Sequence, residues 1–305
     1  RSVMRHFTGV KNWLIGGWLV ALSIYQLYTA MFGILQPRPQ RGIHLMFLLP
    51  AAFILFPAVK KDIVDNKVPI YDLVCAGLAL LPPIYLIINN DYLSERLKFV
   101  DPVLPIELIL GTINIVLLLE AIRRAVVPAM AILIAGFIAY MYVAPWMPGV
   151  FYSKPPAFAD LVEMHYLITD SGIYGAITGV TATFVALFVI FGAIMETTNT
   201  GRFFTDLAAR VAGRSQGGPA KIAVISSGLF GSISGVAAAN VYSTGTFTIP
   251  LMKRLGYRSS FAGAVEASAS VGGMMMPPVM GAGAFVMSEI TGIPYVKIII
   301  AATLG

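Results

Sequence analysis

The chain has 305 residues, 57% of them hydrophobic and 12% charged, with a mean hydropathy of +0.80 and a formal net charge of +6. Soluble domains carry roughly 25% charged residues, so the composition excludes an ordinary soluble globule and indicates an all-α integral membrane protein. The basic residues stand at the ends of apolar runs rather than in one stripe, which describes membrane topology and excludes a nucleic-acid surface.

The single cysteine, Cys75, makes no intrachain disulfide and no zinc site, and His6, His44 and His165 are too far apart in sequence to form a ligand pattern. No enzyme is expected, because no nucleophile–base pair and no metal set stands out. No cleavable leader is evident. The chain starts at Arg1 and stops at Gly305, a few residues into a new apolar segment from Ile298 to Leu304, so it is expected to be a piece of a longer protein.

In chain order, the uncharged runs are Asn12 to Pro37, Gly42 to Val59, Leu73 to Asn90, Leu108 to Leu119, Ala125 to Ser153 and Ser171 to Met195. These are six candidate crossings. The fourth is short and extends back to Pro102 only if Glu107 faces protein or the interface. With the N-terminus inside, Arg1, Arg5, Lys11, Lys60, Lys61, Lys67, Arg123, Arg124, Arg202, Arg210, Arg214 and Lys221 are cytoplasmic. Only Arg38, Arg41, Arg96, Lys98 and Lys154 then lie outside. The asymmetry favours a cytoplasmic N-terminus. Glu107, Glu120 and Glu196 fall at span ends, where interfacial anchoring is expected.

After the sixth run, Arg202 to Arg214 reads as an amphipathic interfacial helix. Phe203, Leu207 and Val211 make an apolar face widened by Phe204 and Ala208, opposite Arg202, Asp206, Arg210 and Arg214. It either braces a moving part or is a plain surface helix.

The most informative segment follows. Between Lys221 and Lys253 no residue is charged, a run of 31, yet its middle reads GSISG (Gly231 to Gly235). A crossing needs about 20 apolar residues, so each half is too short alone. Basic residues flank both ends, which places both ends on one side: the run enters, turns at GSISG and returns. Such breaks are tolerated only inside protein or beside a watery cavity, and in transporters they bind solutes and ions. Ser232, Ser234 and Gly235 at the tip suit a hard cation such as Na⁺. Asn240 and Ser243, on the returning half-helix, are candidate solute contacts. The competing reading is helix packing, since Gly231 and Gly235 also form GxxxG.

Ser259 to Ser288 carries one charge, Glu266, and its middle reads VGGMMMPP (Val271 to Pro278). Paired glycines and prolines predict a broken helix, whose carbonyls around Gly272, Gly273 and Met276 are further candidate cation ligands. Glu266 is either a solute or proton-coupling group or a structural hydrogen-bond acceptor.

The block from Gly231 to Met287, with its ordered SISG, IPLMKRLGY, FAGAVEASAS and GGMMMPP, resembles the large membrane subunit of tripartite ATP-independent periplasmic (TRAP) transporters. It is most similar to the fused permeases paired with TAXI-type binding proteins. Leu117 to Leu133 resembles the start of the large domain, and the first four spans look like a fused small subunit. The resemblance implies a bacterial inner-membrane, elevator-type secondary transporter. A periplasmic TAXI-type protein would deliver a small organic solute, expected to be a carboxylate, with import driven by Na⁺ or alternatively H⁺ and no other cofactor.

The expected organisation is therefore 1–119 small-subunit-like, 120–200 linker and first large-domain spans, 201–217 interfacial helix, and 218–305 the first hairpin and broken helix of one inverted repeat. The rest of the large permease domain, with a second hairpin, is expected within roughly 200 residues beyond. A channel or a non-transporting structural membrane subunit are the other classes left open.

Overall fold

The computed structural model describes residues 4–59 and 68–303. Arg1, Lys60, Lys61, Lys67 and Leu304, and the side chain of Glu196, lie outside that description. Among the described residues all regular structure is helical, in two compact units, Arg1–Gly179 and Val180–Gly305. The segment 120–179 packs within the first unit rather than with the hairpin.

In the first unit, α1 (Val10–Phe32), α2 (Pro37–Leu55), α3 (Ile70–Ile88), the short α4 (Asn90–Glu95), α5 (Pro105–Ala125), α6 (Pro128–Val143) and α7 (Phe158–Val162) follow in order. α7 continues as a π-helical turn over Glu163–Leu167. Among the described residues of the whole chain, five helices are long and apolar enough to cross a membrane: Val10–Phe32, Ile70–Ile88, Pro105–Ala125, Pro128–Trp146 and Ala176–Met195. α2 is not among them, because its first turns carry Arg38, Gln40 and Arg41, so six expected crossings become five that qualify. The fifth run is also shorter than expected: helix stops at Val143 and gives way to a 3₁₀ turn around Pro145.

Glu107 is not an interfacial anchor. It is fully buried, accepts the Leu104 backbone N–H at 2.8 Å and the Tyr85 hydroxyl at 3.2 Å, and so caps the start of α5. Glu120 sits one turn from the end of α5 and pairs with Arg123 and Arg124 at 2.7 and 2.6 Å.

The unit has two clusters of buried apolar residues. Leu49 and Phe53 of α2, Ala76 and Ala79 of α3, and Leu117 and Ala121 of α5 form one cluster. Leu86, Leu93, Leu110, Val162, Tyr166, Leu167 and Tyr174 form the other. Gly111 permits the second: a Cβ there would lie 2.4 Å from Val162 Cγ1. Apolar residues on the opposite faces stay exposed, Trp13 by 82% and Ile88 by 75%, as lipid-facing residues must.

The N-terminal segment is tied down by charge. Arg5 donates to Asp72 Oδ2 at 2.6 Å and to the Ile54 carbonyl at 2.9 Å. Arg124 reaches Asp72 Oδ1 at 2.5 Å and lies 4.9 Å from the centre of the Phe53 ring. One buried carboxylate thus holds two buried guanidinium groups. Removing one partner of a buried pair costs about 3–5 kcal/mol. Asp72→Asn is therefore expected to lower the thermal unfolding midpoint of the purified protein well below that of Glu120→Gln at the partly exposed end of the same network. Equal midpoints for the two variants would contradict the assignment.

Helix from α8 (Ala176–Val180), where the division in sequence falls, continues into the second unit through a π-helical turn (Thr181–Val185) and α9 (Ala186–Thr197). α10 (Thr200–Ala212) packs on α11 (Gly218–Ser234). The buried face of α10 is made of small residues, Gly201, Thr205, Ala208 and Ala212, while Phe203, Leu207 and Val211 stay exposed. The helix is amphipathic as expected, but its protein contact is the small-residue stripe and its large apolar residues are free to face lipid. α12 (Ala237–Ser243) and α13 (Gly245–Arg254) return along α11, and α14 (Ser259–Gly273) packs against all three. α15 (Ala282–Thr291) and α16 (Tyr295–Thr303) follow.

Candidate functional site

Two chain breaks meet in the second unit. The first is the hairpin turn. GSISG does not turn at its centre, because Gly231 to Ser234 form the last turn of α11. Gly235 then adopts φ 63° and its N–H closes on the Gly231 carbonyl at 2.9 Å, the left-handed stop that glycine makes without steric cost. Val236 is extended and α12 begins.

The second break runs from Met274 to Gly281, between α14 and α15. Proline explains it: Pro277 and Pro278 donate no hydrogen bond and cannot continue the helix. The loop folds onto the hairpin tip. The Val279 N–H donates to the Ser232 carbonyl at 2.9 Å. A Cβ on Gly235 would lie 2.3 Å from the Met280 carbonyl oxygen, so backbone meets backbone there. Met280 itself takes φ 59°, an uncommon conformation for a side-chain-bearing residue. Tyr295 of α16 donates to the carbonyls of Pro278, at 3.1 Å, and Val279, and its ring stacks 4.3 Å from Phe285.

Ser232, Ser234 and Gly235 therefore lie together with Val279, Met280 and Gly281 at one junction. The Ser232 hydroxyl points back to Leu229 O at 2.9 Å, so what Ser232 presents to the break is its carbonyl. The carbonyls of Gly272 and Gly273 accept the N–H groups of Met275 and Met276 at 3.0 and 3.2 Å, so the break is not bare backbone. A carbonyl oxygen has a second lone pair, and coordination of a cation remains open to each. Gly272, Gly273 and Met276 also line an open apolar groove of about 620 Å³ with Val224, Gly228 and Phe261.

Asn240 and Ser243 sit deeper in the packing. Asn240 is fully buried and its Nδ2 donates to the Ser227 carbonyl at 2.7 Å. Ser243 faces α10, where a Cβ on Gly201 would lie 2.3 Å from its Oγ. Around Asn240 the helices come into backbone contact: a Cβ on Gly231 would be 2.8 Å from Gly273 Cα, and one on Gly273 would be 2.5 Å from Ser227 O.

Glu266 is the hub of this packing and is fully buried. Its Oε1 receives Ser227 Oγ and Thr244 Oγ1, each at 2.7 Å, and Ser270 Oγ at 3.3 Å. Its Oε2 receives Thr248 Oγ1 at 2.5 Å. Thr244 also contacts Asn240 Oδ1 at 3.1 Å, which carries the network toward the tip. One carboxyl group thus joins α11, the return arm and α14. Among the described residues no group of three His, Cys, Asp or Glu is placed to hold a metal ion.

Residues 113–305 match the family model described as tripartite ATP-independent periplasmic transporter, DctM component. The chain belongs to this family. The match begins within α5, in the region where the resemblance in sequence begins. Curated relatives agree. The C4-dicarboxylate TRAP transporter large permease protein DctM of Pseudomonas aeruginosa is 33% identical over 94 residues, which are 31% of this chain and 22% of that protein. The isethionate TRAP transporter permease protein DctMQ of Oleidesulfovibrio alaskensis is 33% identical over 94 residues, 31% of this chain and 15% of its own length. The uncharacterized protein YgiK of Salmonella typhimurium is 34% identical over 100 residues, 33% and 23% of the two chains. The chain thus spans less than a quarter of the length of each of these relatives. No solved structure matches. The family is one of membrane permeases, not enzymes.

For this TRAP permease chain, sequence reasoning missed Ser227, Thr244, Thr248 and Ser270. Two signals were available: Thr244 and Thr248, like Glu266 and Ser270, stand four apart and share a helix face. Nothing in local spacing pairs Ser227 with Glu266. Each buried hydroxyl deprived of its acceptor costs about 1–3 kcal/mol. Glu266→Ala is expected to lower the thermal unfolding midpoint of the permease sharply, and Glu266→Gln, which keeps one acceptor oxygen, to lower it less. An unchanged midpoint in Glu266→Ala would refute the hub.

Proposed function

We propose that this chain contributes the first hairpin and broken helix of the transport domain of a TRAP permease importing a small organic anion. The single observation that carries the reading is the meeting of the two chain breaks, Ser232 O with Val279 N at 2.9 Å, at a junction of backbone carbonyls and small residues. Carbonyl and hydroxyl oxygens suit a hard cation. The relatives named for C4-dicarboxylates and isethionate support an anionic solute here as well.

In this reading a periplasmic binding protein, of the TAXI type by sequence resemblance, delivers the solute. The hairpin and broken helix move as one body with the rest of the large permease domain, in an elevator-type motion across the inner membrane, with the N-terminus cytoplasmic. Na⁺ is the coupling ion in preference to H⁺. The support for that choice is geometric: both oxygens of Glu266 are engaged by hydroxyls from three segments, a structural duty, which leaves ion ligation to Ser232, Ser234, Gly235, Gly272, Gly273 and Met276. Asn240 and Ser243 act behind the junction by fixing the return arm.

The test uses the complete permease in proteoliposomes with its binding protein. Uptake is expected to require both the binding protein and an inward Na⁺ gradient. Gly235→Ala, which places a Cβ against the Met280 carbonyl, is expected to abolish uptake while membrane insertion persists. Uptake driven by a pH gradient without Na⁺ and lost in Glu266→Gln would replace Na⁺ by H⁺. Full activity in Gly235→Ala would remove the site.

A further inference from the structure

The first unit holds a second polar feature, unrelated to the transport junction. A cavity of about 260 Å³ opens where the start of α2, α4 with the residues that follow it, and the segment after α7 converge. Arg38, Arg96 and Lys98 line it, with Glu163 as the sole carboxylate in its wall.

The charges do not balance locally. Glu163 is already committed: its Oε1 lies 3.2 Å from Arg96 and accepts the Phe99 backbone N–H at 2.9 Å. Arg96 has a side chain only 4% exposed, yet its Nε–H has no acceptor among the described residues. Arg38 donates only to neutral groups, Ser94 Oγ at 2.9 Å and the Leu167 carbonyl at 3.3 Å, and no described carboxylate pairs with it. Lys98 pairs with Asp170, but both side chains are half or more exposed, 50% and 72%. Exposed pairs of this kind hold weakly and exchange readily. The hydrogen bond from Lys98 keeps the Asp170 carboxyl below its usual range, so it stays an anion that competes for the same cations.

We propose that this cavity is an anion-binding site for a small oxyanion group, carboxylate or phosphate, held by Arg38 with Arg96 and Lys98 as flanking cations. Arg38 uses Nε and Nη1 on neutral partners and keeps the N–H groups of Nη2 for such an anion. The volume admits a compact anion and not a folded segment. The oxyanion comes from a free solute or from a phospholipid headgroup at the membrane surface. The inference does not depend on the transport reading, because the site lies wholly within the first unit.

The experiment is equilibrium binding to the full-length permease in nanodiscs of phosphatidylcholine, with succinate and inorganic phosphate as free probes, and native mass spectrometry of detergent-solubilised protein with added phosphatidylglycerol for the lipid arm. Arg38→Gln is expected to weaken whichever probe binds roughly tenfold, the size of one charge-assisted hydrogen bond. Arg38→Lys should retain part of the affinity, and Asp170→Asn should strengthen binding by removing the competing carboxylate. Binding of the free probes alone assigns a solute group, and retention of phosphatidylglycerol alone assigns a headgroup. No binding by any probe, or equal affinity in wild type and Arg38→Gln with both proteins folded by thermal melting, would overturn the proposal.

Discussion

The Glu266 carboxyl is the interaction on which the second unit depends. A hairpin of two short helices has no reason to stay closed in a membrane, where lipid tails are as apolar as the helices themselves. A carboxylate at bilayer depth costs about 2.5–3.5 kcal/mol on insertion scales unless it is satisfied. Here four hydroxyls satisfy it, from Ser227 on the entering arm, Thr244 and Thr248 on the returning arm, and Ser270 on α14 itself. Separating either arm from α14 would strip that carboxyl of one or two of its donors. The need to satisfy one buried carboxyl group keeps three helical segments together.

That clamp holds the close approaches in place, and they in turn bring the two chain breaks together. With the arms held at Glu266, Gly231 and Gly273 bring α11 and α14 to backbone contact, and the tip reaches the Met274 to Gly281 break. The break is supported from its other side by Tyr295 and the Phe285 ring. Polar backbone is thereby concentrated at one place in an otherwise apolar unit, and the small residues there are a requirement of the geometry. The GxxxG reading and the site reading of this segment are therefore compatible: Gly231 serves packing and Gly235 serves the turn.

Much of this was legible in the sequence. The helical class, the returning hairpin, the broken helix and the amphipathic helix all follow from charge placement and from Gly and Pro, whose effects on backbone are local. Details that depend on partners distant in sequence were not legible. Ser227 and Glu266 are 39 residues apart and nothing local links them. The amphipathic pattern of α10 showed an apolar face but not which side meets protein: the small residues Gly201, Thr205, Ala208 and Ala212 pack, and Phe203 and Val211 face outward. Glu107 was read as an anchor because its capping partners, the Leu104 N–H and Tyr85, are set by the helix start and by α3. Within GSISG the turn falls on its last residue, Gly235, because Ser232 and Ser234 complete the helix before glycine ends it.

The central claim is that the hairpin tip and the helix break form one ligand-binding junction. Cysteine accessibility tests it most directly, in the complete permease with Cys75 replaced. Single cysteines at Ser234 and Val279 would be labelled with a membrane-permeant maleimide, with and without Na⁺ and solute-loaded binding protein. The account predicts that ligands slow labelling at both positions together, with no change at a control cysteine at Phe203 on the outer face of α10. Protection of one position without the other, or of neither under conditions that support uptake, would contradict it.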